Sequence, residues 1–355
     1  MEYNQYGMFV NVCSYVVVRK DNTESMRFGR RIIPNSLFIL NILCYTSENR
    51  NDRFPVGPRL MFYRQKVLLS LLDAFGGELP STDFQKYLFL YTRLCEKDRS
   101  YEFVPYKFGC FSFQSYGDKA KLIEQGFLED QNDWKICNKN CNRLYLLKEG
   151  DRKKIDLFVK KYKKLKGKKL IEHVYKGYPY YAINSLIAKD ILGEVEYSSV
   201  RRLKKRKRGN LFATIGYEGL TIEEYINKLI ENDVRMLVDV RKNPLSRKYG
   251  FSKNKLSELL SRVGIEYLHI PELGIVSEKR SSLATRADYK KLFDEYERTV
   301  LVDQQPALTH LYETYLDRKR VAITCFEESH TMCHRHKVAE AVVPLANEGF
   351  VVEHL

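Results

Sequence analysis

The sequence predicts an α/β protein: a C-terminal domain with a mostly parallel, Rossmann-like, three-layer sheet, preceded by a mainly helical, winged-helix-like domain. Two patterns predict this fold class. From residue 209 onward, short apolar runs alternate with amphipathic helical segments, as in right-handed βαβ units whose helices cover both faces of a parallel sheet. Before residue 150, apolar residues recur at helical spacing, and a short hairpin pattern follows them.

The N-terminal domain is predicted from residues 57–150. Val67, Leu68 and Leu71 belong to a helical stripe that Gly76 and Gly77 end. Two further helices and a small hairpin are expected at 81–91, 114–125 and 134–147. Helices followed by a hairpin are typical of a winged helix, so we interpret this region as such a module. A small helical packing domain is the alternative.

Residues 1–56 show no consistent period apart from a short strand-like run at residues 15–19. A helical pattern starts soon after Met61. We therefore interpret residues 1–56 as an extension of uncertain structure, or as the product of a start codon upstream of the natural one.

Positive charge is concentrated between the two domains, in residues 151–208, which we interpret as a basic helical connector. The chain carries 60 Lys and Arg against 45 Asp and Glu, a net charge of +15. Such side chains neutralise phosphates without reading sequence, so DNA or RNA is the expected partner. A solvated cationic face is the alternative. The predicted nucleic-acid contacts are Lys160, Lys163, Lys164, Lys168, Lys204, Lys205 and Arg206.

The sequence argues against a membrane or secreted protein. No apolar run approaches the roughly 18 residues that mark a membrane-spanning helix, and the first residues lack the basic start of a signal peptide. The eight cysteines are too sparse for a disulfide scaffold in 355 residues. We therefore expect reduced thiols, a cytoplasmic protein and no membrane partner.

The C-terminal domain is predicted from residues 209–355 as five strands with helices between them. The strands are expected at 211–215, 234–240, 266–270, 321–325 and 350–354. The helices are expected at 221–230, 255–263, 289–301 and 334–347. Thr221 is expected to cap the first of these helices, with Glu223 and Glu224 in the first turn, where the helix dipole favours acids.

Polar side chains follow these strands, at the edge where open α/β sheets bind their ligands. Arginine forks suit phosphate or carboxylate groups, and tyrosines can stack on a base. Arg335 also lies where a helix begins, a position that favours an anion. A small anionic ligand or a nucleotide is therefore an expected partner. The predicted substrate- or anion-binding residues are Tyr217, Arg241, Ser246, Arg247, Tyr249, His334 and Arg335.

Three further residues at this edge are the catalytic candidates. Glu218 and Asp239 are predicted general acids or bases, although Asp239 could instead form an ion-pair brace with Arg241. Cys333 is the predicted nucleophile, because a thiol near a helix N-terminus and beside His334 and Arg335 should have a lowered pKa. A small buried residue is the alternative role for Cys333.

A zinc site is a less favoured interpretation of the last motif. Cys325, His330, Cys333 and His334 form a valid ligand set of two thiols and two imidazoles. Their spacing matches no common zinc module, and the thiol of Cys325, at a strand end, can point into the core. We therefore predict no metal ligand, and no motif indicates a cofactor.

The motifs at this edge resemble those of one family. They are Gly216-Tyr217-Glu218-Gly219, Val238-Asp239-Val240-Arg241 with Pro244 and Ser246-Arg247, Gly250-Phe251-Ser252, Leu273-Gly274, and Cys325 and Glu327 followed by Cys333-His334-Arg335. Together they make residues 209–355 resemble the bacterial domain-of-unknown-function 488 family. The resemblance implies an α/β fold and a bacterial or archaeal cytosolic protein, and it supplies no reaction. Residues 239–241 are also similar, over these three positions alone, to rhodanese-type sulfurtransferases.

Three functional hypotheses follow from these observations. The favoured one is an enzyme acting on a nucleic acid or nucleotide, with a hydrolytic reaction. The second is a non-enzymatic DNA-binding regulator whose α/β domain senses a small anionic ligand. The third is a thiol or sulfur-transfer enzyme that uses Cys333.

Overall fold

The computed structural model of the protein describes residues 61–137, 147–204, 207–276, 285–346 and 350–355. These residues lie within one compact unit, Pro55–Leu355. The predictions for residues 1–56, for Lys205 and Arg206, and for the hairpin turn and most of the second hairpin strand, within residues 138–146, fall outside the described residues.

The N-terminal domain consists of short helices around two small antiparallel sheets. Its elements are α1 (Tyr63–Ala74), β1 (Glu78–Leu79), α2 (Ser81–Cys95), β2 (Val104–Tyr106), β3 (Gly109–Phe111), α3 (Phe113–Glu124), β4 (Trp134–Lys135), α4 (Glu149–Tyr162), α5 (Gly167–Gly177), α6 (Ala188–Ile191) and α7 (Glu194–Leu203). β1 pairs with β4 and β2 pairs with β3. The expected first hairpin strand therefore exists as β4 and pairs with β1.

One hydrophobic core joins the first helices to the basic segment. It includes Val67 and Leu71 of α1, Phe158 of α4 and Val174 of α5. The basic segment is amphipathic, as its helical spacing predicts: apolar side chains face the core and lysines face solvent. This segment is not one continuous helix, because α4 ends before a turn at residues 163–166 that leads into α5.

The N-terminal end of α3 packs against the C-terminal domain. One carboxylate oxygen of Glu223 accepts hydrogen bonds from the backbone N–H of Gln114 (2.7 Å) and from the hydroxyl of Ser112 (3.2 Å). Tyr249 donates its hydroxyl hydrogen to the carbonyl of Phe113 (2.9 Å). The ring of Tyr249 lies so close to Gly117 that a Cβ there would sit 2.5 Å from it. Gly117 is therefore needed for the contact between the domains.

The C-terminal domain is built on a parallel sheet. Its strands are β5 (Leu211–Gly216), β6 (Met236–Asp239), β7 (Glu266–His269), β8 (Arg320–Cys325) and β9 (Val352–His354), in the order β7-β6-β8-β5-β9. Every pairing is parallel. Every residue of β5 and β8 is buried, as expected for central strands covered on both faces. The predicted α/β class and all five predicted strands are confirmed.

The helices of this domain are α8 (Ile222–Glu231), α9 (Lys253–Arg262), α10 (Arg286–Tyr296), α11 (Gln305–Arg318) and α12 (Arg335–Val342). Thr221 caps α8 as predicted, and its hydroxyl accepts a hydrogen bond from the backbone N–H of Glu224. No helix is predicted for α11, although Leu308, Leu311 and Tyr315 face the core at helical spacing. Among the described helices, none is long and apolar enough to cross a membrane.

Two glycines let the chain segments at the carboxyl ends of β5, β6, β7 and β8 come together. A Cβ at Gly216 would lie 1.8 Å from the carbonyl oxygen of Glu327. A Cβ at Gly274 would lie 2.2 Å from the backbone nitrogen of Lys242. Any side chain at either position would force these loops apart, so both glycines define the shape of this carboxyl edge.

Candidate functional site

Asp239 and Arg241 form a buried ion pair at the end of β6. The Asp239 carboxylate accepts hydrogen bonds from Arg241 Nη2 (2.6 Å), from its Nε (2.9 Å) and from its backbone N–H (3.0 Å). The Tyr267 hydroxyl donates to the same carboxylate at 2.6 Å. Burial lowers the pKa of Arg241, but Asp239 outweighs burial and raises it above its ordinary value. Arg241 therefore stays charged, and its charge is neutralised locally.

The other side of Arg241 holds two loops together. Its Nη1 donates to the Tyr217 hydroxyl (2.8 Å) and to the Phe251 carbonyl (2.9 Å). The Tyr217 ring stacks on Phe251 with centroids 4.3 Å apart. All three guanidinium nitrogens thus donate to protein groups, which is the geometry of the brace considered for Asp239 and Arg241.

Arg335, at the start of α12, is buried as well. Its guanidinium donates to the carbonyls of Glu327 (2.5 Å) and Glu328 (2.8 Å), and its Nε lies 3.4 Å from the Thr214 hydroxyl. These contacts tie the loop after β8 to the start of α12. Arg335 is therefore in place to shape the loop.

A cavity of about 320 Å³ lies over the carboxyl ends of β5, β6 and β8. Its lining consists of Tyr217, Arg241, Lys242, Asn243, Leu245, Ser246, Arg247, Ile275, Cys325 and Phe326. Three of these side chains are cationic, and none of the described lining residues carries a carboxylate. Lys242 and Arg247 are exposed and form no ion pair with another described residue. The cavity therefore has excess positive charge.

Glu218 and Tyr249 lie outside this lining. The carboxylate of Glu218 is exposed and accepts a hydrogen bond from the backbone N–H of Glu328 (3.0 Å). Tyr249 points to α3, where its hydroxyl meets Phe113. The structure therefore brings four of the seven predicted binding residues, Tyr217, Arg241, Ser246 and Arg247, together in one cavity. The other three, Tyr249, His334 and Arg335, lie outside its lining.

Two thiols and an imidazole meet below the cavity, at the end of β8. The Sγ atoms of Cys325 and Cys333 lie 3.6 Å and 4.0 Å from Nδ1 of His334. All three residues are buried, and their donor atoms lie within 4.8 Å of one another. The Cys325 thiol also donates to the Glu327 carboxylate at 3.3 Å. Cys325 is not among the predicted catalytic or binding residues. It is the member of this cluster that lines the cavity.

The expected low pKa of Cys333 is wrong. Burial raises its pKa well above the ordinary value of a thiol, and the neighbouring Cys325 raises it further. The positive charge of Arg335 lowers it by less than burial raises it. Both cysteines are buried, and of the two only Cys325 belongs to the described cavity lining.

His330 is separate from this cluster. Its ring stacks on His354 with centroids 3.7 Å apart and planes inclined by 2°. Burial lowers the pKa of both imidazoles. The four-residue zinc set considered from the sequence is therefore reduced to Cys325, Cys333 and His334.

The lysines around the turn between α4 and α5 form an exposed cationic surface, which we call the lysine surface. It is formed by Lys160, Lys163, Lys164 and Lys168, each exposed and without an ion pair to another described residue. Lys153 and Lys154, earlier in α4, differ because they pair with Glu149 and Asp151. Lys204 is also exposed, at the end of α7.

Sequence reasoning missed Lys242, and it considered Cys325 only as a zinc ligand. Lys242 directly follows Arg241 beyond the end of β6, so its position was a usable signal. Cys325 is the last residue of β8, where strand alternation alone does not decide between core and cavity. The hydroxyl contact from Tyr267 to Asp239 depends on the pairing of β6 with β7, which the chain order does not supply.

Comparison with known proteins agrees with the C-terminal motifs. Residues 221–342 match the family model described as "Domain of unknown function DUF488". The family resemblance is therefore confirmed for the region from α8 to α12, and the match does not extend into the N-terminal domain. No curated protein and no solved structure matches the chain.

Proposed function

We propose that the protein binds a phosphate-bearing ligand, a nucleotide or the end of a nucleic acid, in the carboxyl-edge cavity and acts on it as an enzyme. The observation that supports this is the charge of the lining: Arg241, Lys242 and Arg247 surround a space whose described walls carry no carboxylate. At about 320 Å³ the cavity is at the small end of the usual range for ligand pockets, which suits a single nucleotide unit.

The three cations have different roles in this proposal. Asp239 neutralises Arg241, so Arg241 supplies rigidity and contributes little net charge. Lys242 and Arg247 supply the net positive charge, because neither pairs with a described carboxylate. The guanidinium fork of Arg247 can donate two parallel hydrogen bonds to a phosphate, and Lys242 adds a point charge. The Ser246 hydroxyl adds a neutral hydrogen-bonding group to the same lining.

The groups nearest to a bound ligand set the chemistry that the cavity can support. Tyr217 and Cys325 belong to the lining, and Nδ1 of His334 lies 3.6 Å from the Sγ of Cys325. A thiol beside an imidazole is an arrangement used for nucleophilic catalysis. In this geometry Cys325, rather than Cys333, is the candidate nucleophile of the thiol-enzyme alternative. It also gives Asp239 a positioning role, because Arg241 and Tyr267 occupy its carboxylate.

The lysine surface supports the nucleic-acid part of the proposal. Four exposed lysines without carboxylate partners among the described residues can neutralise backbone phosphates and release counterions. Such contacts are independent of base sequence. Because they act through phosphate charge and counterion release, binding through this surface should weaken steeply as the salt concentration rises.

The DNA-binding regulator is the second candidate, and the packing of α3 bears on it. In helix-turn-helix proteins a recognition helix enters the major groove of DNA. Here the first turn of α3 is held by Glu223, and Gly117 lies against Tyr249. A regulator that reads DNA with α3 would have to release these contacts, whereas one that binds through the lysine surface would not.

Calorimetric titration with adenosine monophosphate tests anion binding in the cavity. We expect Lys242→Ala/Arg247→Ala to weaken binding by about 10- to 100-fold, equivalent to about 1.4–2.8 kcal/mol. The matched control is Arg286→Ala/Lys290→Ala, which removes the same charge from a separate cavity lined by α10 and residues 329–337. Loss of binding in the control and not in the first variant would place the anion elsewhere and contradict the proposal.

Turnover is tested by incubating the protein with nucleotides and with short single- and double-stranded DNA and RNA, and separating the products by chromatography. We expect one of these classes to be converted by the wild type and not by Cys325→Ser. Salt-sensitive nucleic-acid binding without any conversion would favour the regulator.

A further inference from the structure

The three donor atoms of Cys325, Cys333 and His334 converge on one point. They come from the last residue of β8 and from two residues just before α12, and all are buried. We propose that these three side chains bind one thiophilic divalent cation, such as Zn²⁺. Metal binding here does not depend on whether the neighbouring cavity holds an anion, and it is an alternative to the use of Cys325 as a nucleophile, because the ion would occupy Cys325 and His334.

The distances between the donors already fit a tetrahedral ion. Zinc lies about 2.3 Å from thiolate sulfur and about 2.0–2.1 Å from imidazole nitrogen, so two such ligands at a tetrahedral angle stand roughly 3.6 Å apart. The Sγ of Cys325 lies 3.6 Å from Nδ1 of His334, and that of Cys333 lies 4.0 Å from it. Only small side-chain adjustments are needed to bring all three atoms onto one ion.

The second nitrogen of His334 is oriented as in known metal sites. Its Nε2 lies 3.0 Å from the carbonyl oxygen of Val240, an acceptor, so Nε2 carries the hydrogen. The lone pair of Nδ1 then faces the two thiols. A metal-bound histidine usually donates its other N–H to a carbonyl or a carboxylate, which fixes the tautomer and the ring orientation.

The surroundings supply charge balance and a fourth position. Two thiolates would cancel the charge of a divalent cation, which makes burial of the ion favourable. The carboxylate of Glu327 lies 3.3 Å from Cys325 Sγ but outside the group of donors that lie within 4.8 Å of one another, so it would have to move to complete the ligand set. Arg335 holds the carbonyl of Glu327 in place. Because Cys325 also lines the cavity, a water molecule there is the other candidate for the fourth position.

Metal content and cobalt spectroscopy test the proposal on the full chain. Protein incubated with Zn²⁺ and then desalted should retain about one ion per chain. With Co²⁺ it should show the charge-transfer absorption of cobalt–thiolate bonds and the intense visible bands of tetrahedral cobalt. Cys325→Ser and Cys333→Ser should each reduce metal affinity by at least about 100-fold. The matched control Cys95→Ser, which removes a half-buried thiol from α2, should leave it unchanged.

A measurement on the wild type alone covers the case in which a variant fails to fold. Alkylation followed by mass spectrometry should show that Zn²⁺ protects Cys325 and Cys333 from iodoacetamide under partly denaturing conditions, and does not protect Cys95. The proposal is overturned if the desalted protein retains no metal above trace amounts. It is also overturned if bound cobalt shows no thiolate absorption, or if the protected cysteines lie outside this cluster.

Discussion

The two sides of the carboxyl edge use their buried polar side chains in opposite ways. On the β6 side, Asp239, Arg241 and Tyr267 satisfy one another's hydrogen-bonding groups. On the β8 side, Cys325, Cys333 and His334 direct sulfur and nitrogen donors toward a shared point. The exposed cations Lys242 and Arg247 line the same cavity as Arg241 of the first cluster and Cys325 of the second.

This contrast separates scaffold from candidate ligand contacts. A buried charged group that finds its partners within the protein positions the loops around it. Donor atoms that converge on one point, and cations without an ion pair to another described residue, are the candidate ligand contacts. The same sequence motif therefore contains residues of both kinds, next to each other in the chain.

The largest expected effect comes from removing the carboxylate of the buried ion pair at the end of β6. Asp239→Asn would leave the Arg241 guanidinium buried without its carboxylate, and we expect a loss of about 3–5 kcal/mol in the free energy of unfolding. Denaturant unfolding monitored by fluorescence measures it. Glu258→Gln is the control, because Glu258 pairs with Lys255 and Arg262 at the surface, where ion pairs contribute about 1 kcal/mol or less. Equal losses in the two variants would refute the scaffold role.

Glu223 extends this comparison, because it is a buried carboxyl with no cationic partner among the residues that the structure describes. Burial raises its pKa from 4.5 to about 7, and one of its oxygens has no hydrogen-bond partner among the described residues. Below about pH 4.5 the folded and unfolded states are both protonated. As pH rises to about 7 the unfolded state ionises first, so the folded state loses stability, by up to about 3 kcal/mol.

The variant Glu223→Gln should therefore be more stable than the wild type at pH 8 and of similar stability near pH 4.5. Unfolding free energies across this pH range measure the difference. A constant difference between the two proteins at all pH values would show that Glu223 does not titrate abnormally.

Adding a methyl group where the loops pack against each other should have a smaller effect on stability. In Gly216→Ala the new methyl group would overlap the Glu327 carbonyl, and we expect a loss of about 1–3 kcal/mol. The displaced loop should also weaken metal retention by the thiol cluster. Gly150→Ala is the control, because Gly150 lies in a helix with open space around it. If both glycine variants unfold at the same denaturant concentration as the wild type, the loops do not pack as described.

The smallest expected effect on stability comes from removing the exposed cations. Lys242→Ala/Arg247→Ala removes side chains without ion pairs to described residues, so its unfolding free energy should stay within about 0.5 kcal/mol of the wild type. Denaturant unfolding measures this free energy, and the calorimetric titration measures the loss of nucleotide binding in the same variant. A large destabilisation would assign these residues to the scaffold.

The sequence predicted the strands and the composition of the edge, because continuous apolar runs and terminal polar residues are local signals. It could not decide between a brace and an anion site for Arg241, because the Tyr217, Tyr267 and Phe251 contacts come from distant parts of the chain. The pKa of Cys333 was misjudged for a similar reason. Its charged neighbours are visible in sequence, whereas its burial depends on the packing of α12.

The most direct test of the central claim is a crystal structure of the protein with adenosine monophosphate bound. We expect the phosphate in the carboxyl-edge cavity, within hydrogen-bonding distance of Lys242 Nζ and the Arg247 guanidinium, with the Asp239–Arg241 pair intact beneath it. A phosphate bound between Arg286 and Lys290, or only on the lysine surface, would contradict it.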